Sequence, residues 1–140
     1  MAMTDRDELV RSLAGLALFA DLRDPDLEAI ADPEWERRFS EGERVLRRGL
    51  SGGGLFVILD GEAAVELPAD DQPRRLLRGD FFGEVSTLLA CKPTADVIAR
   101  SALHCLEVPG PELETFLLQY PQVTYRMLQT VTRRLRDLLQ

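Results

Sequence analysis

The most informative stretch of this sequence is Phe82-Gly83-Glu84-Val85-Ser86-Thr87-Leu88-Leu89. It follows a Gly79-Asp80 turn, and its composition predicts a short helix that begins at Gly83 and Glu84. Backbone N–H groups at the start of a helix attract anions, and a glycine there lets a ligand approach the backbone closely. A carboxylate beside it can accept hydrogen bonds from ligand hydroxyl groups. The stretch is therefore either a small ligand-binding turn or a structural one, in which Glu84 favours the helix dipole and Gly83 makes the turn.

Around this stretch, the chain from Trp35 to Val108 consists of short apolar segments separated by turn residues. This spacing is typical of an antiparallel sandwich or barrel. Asp60-Gly61 is the strongest hairpin signal and predicts that the two strands beside it pair with each other. The predicted strands are residues 34–39, 44–47, 55–59, 63–67, 75–77, 94–99 and 104–108.

Helical periodicity flanks the strand region on both sides. Thr4 is placed to cap a first helix, and Asp24-Pro25-Asp26 to start a second with a proline in its first turn. After Pro109-Gly110-Pro111 the helical period returns, and Pro121 divides it into two helices. The last helix carries a short a/d seam of about one and a half heptads. Its apolar positions are Leu128, Val131, Leu135 and Leu138.

Two motifs carry a resemblance to a known family. The first is Val45-Leu46, Gly49, Gly52, Leu55-Phe56-Val57-Ile58 and Gly61. The second is Phe82-Gly83-Glu84-Val85-Ser86, followed by Thr94-Ala95-Asp96-Val97-Ile98-Ala99. Together they resemble the cyclic nucleotide-binding domain of catabolite activator protein and of the regulatory subunit of cAMP-dependent protein kinase, in which the second motif is the phosphate-binding cassette. The resemblance implies an α+β fold: a β jelly-roll (double-stranded β-helix) barrel flanked by N-terminal and C-terminal helices.

The resemblance covers almost the whole chain and implies one domain over residues 1–140. Its expected parts are N-terminal helices over 1–33, a β-roll over 34–108 with the cassette at 82–99, and C-terminal helices over 111–140. A length of 140 residues suffices for one such domain. We therefore expect no effector domain on the chain, and an output that passes to a separate, unknown effector protein.

The resemblance also implies which residues hold the ligand. The carboxylate of Glu84 would accept a hydrogen bond from the ribose 2′-hydroxyl, and backbone N–H groups at 83–85 and 94–95 would contact the cyclic phosphate. Thr94 stands where family members that prefer cGMP often have threonine or serine, whose hydroxyl reaches the guanine amino group. The candidate ligand-binding residues are Phe82, Gly83, Glu84, Val85, Ser86, Lys92, Pro93, Thr94 and Ala95.

Pro93 departs from the family pattern, which has an arginine at this position of the cassette. Proline has neither a charge nor an N–H donor, whereas arginine makes a bidentate, charge-assisted contact with phosphate. Truncating one partner of a buried charge pair costs about 2–5 kcal/mol, which is roughly a 30- to several-thousand-fold loss of affinity. Replacement charges are available from Lys92 next to it, or from Arg100 or Arg78 in the barrel, although lysine lacks the planar fork of arginine.

These features predict a regulatory, signal-sensing module for cAMP or cGMP, without a cofactor, whose ligand moves the C-terminal helices. The alternative is a degenerate cassette that binds no nucleotide and serves as a dimerisation or docking module. In either case the seam allows a homodimer through residues 121–140. A transcription regulator would need a DNA-binding element from a partner. An enzyme is the least favoured class, because no nucleophile and base stand at suitable spacing, and we interpret His104 as structural.

The composition excludes other classes. A net charge of −7 and a pI of about 4.8 disfavour direct contact with nucleic acid or anionic membranes. No apolar run approaches the roughly 20 residues that cross a bilayer, and the N-terminus lacks a signal peptide, so we expect a cytoplasmic protein. Cys91 and Cys105 are expected to be reduced, buried and inert, with no metal site. Gly52-Gly53-Gly54 lacks the lysine of a phosphate loop and is interpreted as a hairpin loop.

Overall fold

The computed structural model of the chain describes residues 5–50, 53–66 and 73–139. These residues divide into two compact units. The helical unit contains the residues up to Ala31 and from Glu114 onward, and the β unit contains Asp32 to Leu113. The predicted cap at Thr4, together with Gly52 and Leu67, lies outside the described residues. Within the described ranges, no helix is long and apolar enough to cross a membrane.

Two four-stranded antiparallel sheets form the β unit in the part of the chain that the structure describes. The strand order is β1-β8-β3-β6 in the first sheet and β2-β7-β4-β5 in the second. With helices on both sides in sequence, this arrangement confirms the predicted β jelly-roll. The strands are β1 (Glu36–Phe39), β2 (Arg44–Leu46), β3 (Leu55–Asp60), β4 (Ala63–Glu66), β5 (Arg74–Leu76), β6 (Phe81–Phe82), β7 (Asp96–Ala99) and β8 (Leu103–Val108). The helices are α1 (Arg6–Ala14), α2 (Asp24–Ile30), α3 (Glu84–Leu88), α4 (Gly110–Gln119) and α5 (Pro121–Leu138).

The core of the β unit is built by apolar side chains from both sheets. Phe56 of β3 stacks on Phe82 of β6, with ring centroids 4.9 Å apart and an interplanar angle of 5°. The alternation of buried and less buried residues along β7 is the period-2 pattern of a strand with one face on the core. The buried core residues are Leu46, Phe56, Ile58, Ala63, Leu76, Phe82, Val97, Ala99, Leu103 and Cys105.

Asp60-Gly61 does not form the predicted hairpin. β3 lies in the first sheet and β4 in the second, so the turn carries the chain from one sheet to the other. The prediction is wrong because a hairpin needs a free strand edge, and both edges of β3 are already paired, with β8 and with β6. The connection through Gly53-Gly54 does not form the expected hairpin loop either. β2 and β3 belong to different sheets and do not pair with each other.

Other element boundaries differ from the predictions by one or two residues. Residues 33–35 form a 3-10 turn instead of the start of a strand, because the Asp32 side chain caps the turn by accepting from the Glu34 N–H at 2.9 Å. β7 starts at Asp96 and β5 at Arg74, and the two-residue strand β6 is additional to the predicted set. These shifts occur where strands are short and their ends are set by tertiary pairing.

The helical unit contains α1, α2 and α5, with most of α4. α1 begins after Asp5, whose carboxylate caps it, and α2 begins after Arg23, one residue before the predicted cap at Asp24. α1 packs against α2, and the 3-10 turn Ala17–Phe19 contacts both α1 and α5. Leu9, Leu13, Phe19 and Val123 are buried.

The two cysteines differ in their surroundings. Cys105 is buried in the core, where burial and the nearby Glu107 carboxylate raise the pKa of its thiol to about 12, as expected for an inert thiol. Cys91 is exposed, so the expectation that both cysteines are buried is wrong for this one. It stands after α3 on a surface turn that contains Ala90 at a φ of +51°.

We expect Gly61→Ala to destabilise the protein more than Gly42→Ala. Both glycines have a positive φ, +96° and +88°, but a Cβ at Gly61 would overlap the Ala102 carbonyl oxygen, whereas one at Gly42 meets nothing within 4 Å. The backbone strain of about 1–2 kcal/mol is common to both. Only Gly61→Ala adds an overlap of about 1–3 kcal/mol. Urea unfolding measures the difference, and equal losses would contradict the close packing at Gly61.

Candidate functional site

The two predicted segments of the cassette meet at one end of the β unit. Asp60-Gly61 joins the end of β3 to the start of β4. The start of β3 and the end of β4 therefore lie at the end of the sheets that is opposite to this turn. Phe82, at the end of β6, pairs with Phe56 near the start of β3. Asp96, at the start of β7, pairs with Glu66 at the end of β4. Residues 83–88 and 92–95 therefore lie at the same end, which we call the cassette end.

Gly83 makes a left-handed turn between β6 and α3. Its φ is +87°, and a Cβ there would lie 2.5 Å from the Gly54 carbonyl oxygen, so both the backbone conformation and the space require glycine. Thr87 closes the first turn of α3 by donating its N–H and its hydroxyl to the Gly83 carbonyl, at 3.2 and 2.7 Å. The backbone N–H groups of Val85 and Ser86 lie nearer the start of the helix than the N–H of Thr87. They have no acceptor within the helix.

Glu107 of β8 holds the loop against which Gly83 packs. One of its carboxylate oxygens accepts from the Gly54 N–H at 2.8 Å, and the other accepts from Arg37 Nε at 2.9 Å. The Glu107 side chain is 13% exposed, which makes these charge-assisted bonds stronger than surface ones. The sequence interpretation missed this residue. A glutamate between Leu106 and Val108 in an apolar strand is the signal that marks it.

The second cassette segment is tied to the connection after β2. Pro93 is buried, and its carbonyl accepts from the Gly49 N–H at 2.9 Å. Asp96 accepts from the Arg48 N–H at 2.7 Å and has Arg44 Nε at 3.8 Å. Asp96 therefore orders the backbone beside the cassette.

The predicted site residues divide by exposure. Phe82 lies in the core, Pro93 is buried, and Ser86 is 8% exposed with its hydroxyl 3.4 Å from the Gly83 carbonyl. Gly83, Glu84 and Ala95 are half-buried, and Val85, Lys92 and Thr94 are exposed. The described residues contain no group of three or more His, Cys, Asp or Glu side chains placed to hold a metal.

The replacement charges named from the sequence do not all stand at this site. Arg78 lies in the turn after β5, and Leu76 at the end of β5 pairs with Ala63, next to the Asp60-Gly61 turn. Arg100 is bound to Glu66 at 2.6 Å, and Glu66 lies on the outer face of its sheet, because its neighbour Val65 packs on the core. Lys92 is exposed in the cassette segment itself.

Residues 36–120 match a family model described as "Cyclic nucleotide-binding domain". The chain belongs to the cyclic nucleotide-binding domain family. This match, over more than half of the chain, confirms the resemblance inferred from the two motifs. Members of this family are regulatory ligand-binding domains.

One relative resembles this chain in sequence, and two solved structures resemble it in fold. A protein of Rhodopseudomonas palustris, named as a potassium channel protein, is 30% identical over 124 residues, which are 87% of this chain and 30% of the relative. This chain therefore spans less than a third of that relative's length. PKAR CBD2 bound to Sp-2Cl-cAMPS has a TM-score of 0.75 at 18% identity, over 95% of this chain and 90% of the other. The regulatory subunit of a cAMP-independent protein kinase A from Trypanosoma brucei has a TM-score of 0.75 at 19% identity, over 96% and 52%.

We expect Glu107→Gln to destabilise the β unit through the Gly54 loop. The change removes the charge from two hydrogen bonds of a mostly buried carboxylate, and such bonds contribute about 1.5–3 kcal/mol each. Arg37→Met, at a side chain that is 41% exposed, has the smaller effect. A double-mutant cycle by urea unfolding measures the coupling. Additive effects of the two changes would contradict a coupled Arg37–Glu107–Gly54 network.

Proposed function

We propose that the domain binds a cyclic nucleotide, cAMP or cGMP, at the cassette end and acts as a regulatory module. The observation that carries this proposal is the Gly83 turn. It starts α3 next to Gly54 and brings the first N–H groups of α3, which have no acceptor within the helix, to the end of the sheets where Thr94 and Ala95 also lie. Backbone donors at a helix start are suited to an anionic group, and the family is one that binds cyclic nucleotides.

In this proposal, each part of the cassette takes one part of the nucleotide. The half-buried Glu84 carboxylate accepts a hydrogen bond from the ribose 2′-hydroxyl, and N–H groups at 83–85 and 94–95 bind the cyclic phosphate. The exposed Thr94 hydroxyl is available to a guanine amino group. Phe82 and Ser86 contribute by packing and by shaping the turn, because their side chains are buried.

We also propose that binding moves the C-terminal helices. Gly110, the first residue of α4, lies beside the cassette: a Cβ on it would be 3.8 Å from Thr87 Cγ2 and 3.3 Å from the Gly53 carbonyl oxygen. A ligand that alters the Gly83–Thr87 turn therefore acts on an atom next to the start of α4. Movement requires only that the ligand bind one arrangement of these helices more tightly than the other.

The downstream partners are part of the same proposal. The apolar seam of α5 is exposed at Leu128, Leu135 and Leu138 by 60%, 56% and 77%, which supports a homodimer through residues 121–140. The name of the Rhodopseudomonas palustris relative supports an ion channel as one class of effector. A cytoplasmic location agrees with the acidic charge and the unpaired cysteines.

A second candidate function follows from Pro93. This buried proline leaves the cassette without its arginine, which favours a degenerate domain that acts in dimerisation or docking without nucleotide. The two solved structures support keeping this alternative. They share a TM-score of 0.75, yet one is bound to a cAMP analogue and the other belongs to a cAMP-independent kinase.

Isothermal titration with cAMP and cGMP tests the first function. We expect saturable heat with the wild type and about tenfold or weaker binding by Glu84→Ala, because a hydrogen bond to a charged group contributes about 1.5–3 kcal/mol. Glu41→Ala, which removes an equal charge from an exposed turn, is the control and keeps the wild-type affinity. Absence of heat at millimolar nucleotide would refute binding and favour the docking module.

Replacing Pro93 tests the charge argument separately. We expect Pro93→Arg to tighten nucleotide binding about tenfold or more, through a bidentate contact with the phosphate. Pro93→Ala removes the ring constraint without adding a charge and is the matched control. Equal affinities for the arginine and alanine variants would show that the missing charge does not limit this site.

A further inference from the structure

The cyclic phosphate of the proposed ligand is an anion, and this protein has a net charge of −7. An anion that binds a protein of the same sign needs a cation close to its site. In the second cassette segment, Pro93 is buried and uncharged, and Lys92 is exposed. Lysine is a flexible point charge without the two parallel donors that match phosphate oxygens. An arginine from another part of the β unit would supply both the charge and the donors.

A tight turn over residues 47–50 follows β2. The Leu50 N–H donates to the Arg47 carbonyl at 3.2 Å. Gly49 has a φ of +81°, whereas the φ of Arg48 is not positive. A four-residue turn with a positive φ only at its third residue is a type II turn. Arg48 is therefore the first central residue of a type II turn.

This turn lies along the second cassette segment. The Arg48 N–H donates to the Asp96 carboxylate at 2.7 Å, and the Gly49 N–H donates to the Pro93 carbonyl at 2.9 Å. Two consecutive N–H groups of the turn thus bind the two ends of residues 93–96. Both bonds are made by the main chain of the turn, so a change of the Arg48 side chain leaves them in place.

The Arg48 side chain lies on the inner face of the second sheet. Leu46, two residues earlier, is buried in the core, and Arg47 between them is exposed. Side chains alternate between faces along extended backbone, and the first central residue of a type II turn is close to extended, with φ about −60° and ψ about +120°. The register irregularity of β2 lies before Leu46 and does not disturb this alternation. Arg48 therefore follows Leu46 on the inner face, and Arg47 lies on the outer face.

The carboxylate beside this turn lies on the other face of the sheet. Asp96 directly precedes Val97, which is buried in the core, so the Asp96 side chain points outward. There it has Arg44 Nε at 3.8 Å. Asp96 therefore fixes the main chain at Arg48 from the outer face, while the Arg48 guanidinium extends from the inner face.

We infer that Arg48 binds the cyclic phosphate of the nucleotide and supplies the positive charge that Pro93 does not, an inference that rests on the proposed function. The proposed phosphate donors at 83–85 follow Phe82 of the first sheet, and those at 94–95 precede Asp96 of the second. A phosphate that both groups contact lies between the two sheets, on the side of their inner faces. The planar guanidinium of Arg48 reaches this side and can donate two parallel hydrogen bonds to two phosphate oxygens.

Titrations of single variants with cAMP and cGMP test the inference. We expect Arg48→Met to bind the nucleotide about tenfold or more weakly than the wild type, because a charge-assisted bond to the phosphate is lost. Arg47→Met removes an equal charge from the outer face one residue earlier and is the matched control, which keeps the wild-type affinity. Lys92→Met has a smaller effect than Arg48→Met. In the Pro93→Arg background the loss caused by Arg48→Met becomes smaller, because the introduced guanidinium meets the same phosphate.

The outcomes separate this inference from the function on which it rests. Failure of the wild type to bind either nucleotide at millimolar concentration refutes both. Binding by the wild type and by Arg48→Met with equal affinity overturns the role of Arg48 and leaves the proposed function intact.

Three further results would also overturn the role of Arg48. Equal losses in Arg47→Met and Arg48→Met would show a general charge effect. A larger loss in Lys92→Met would assign the charge to the lysine. A loss of the same size with and without Pro93→Arg would show that Arg48 does not replace the missing charge. A loss found in Arg48→Met, absent from Arg47→Met and reduced by Pro93→Arg supports the inference.

Discussion

The approach of Gly83 to the Gly54 carbonyl is the contact on which the cassette depends. A Cβ at Gly83 would overlap the Gly54 carbonyl oxygen, and a Cβ at Gly54 would overlap the Val108 carbonyl oxygen. Glycine at 83 therefore lets the turn lie against Gly54, and glycine at 54 lets that residue lie against the end of β8. Glu107 holds Gly54 from the other side and is itself held by Arg37, which links the turn to β8 and β1. The start of α3 is therefore placed by a chain of hydrogen bonds and close contacts that spans the first sheet.

Electrostatics set the second constraint on the site. The protein carries a net charge of −7, so an anionic ligand needs a local cation. The arginines Arg44, Arg75 and Arg100 along the second sheet have carboxylate partners. Pro93 stands where the resemblance to the family implies an arginine.

Several features were predictable from residue types alone. The alternating apolar segments predicted an antiparallel β fold, and the glycines and prolines placed most element boundaries within two residues. The short helix at Glu84 and the glycine turn before it were also predicted. The pairing of strands was not, because Asp60-Gly61 is equally compatible with a hairpin and with a connection between sheets. That choice depends on whether the edges of β3 are free, and residues more than 40 positions away in β8 occupy one of them.

The sequence by itself therefore determined the family, the cassette and the absence of its arginine, because these are carried by residues close together in the chain. The tertiary structure decided which side chains share a face and an end. Glu107 reaches Gly54 over a separation of 53 residues. Local sequence patterns indicate φ preferences and burial, because both depend on neighbouring residues. The register between strands is fixed by long-range packing, and the register decides which side chains share a face.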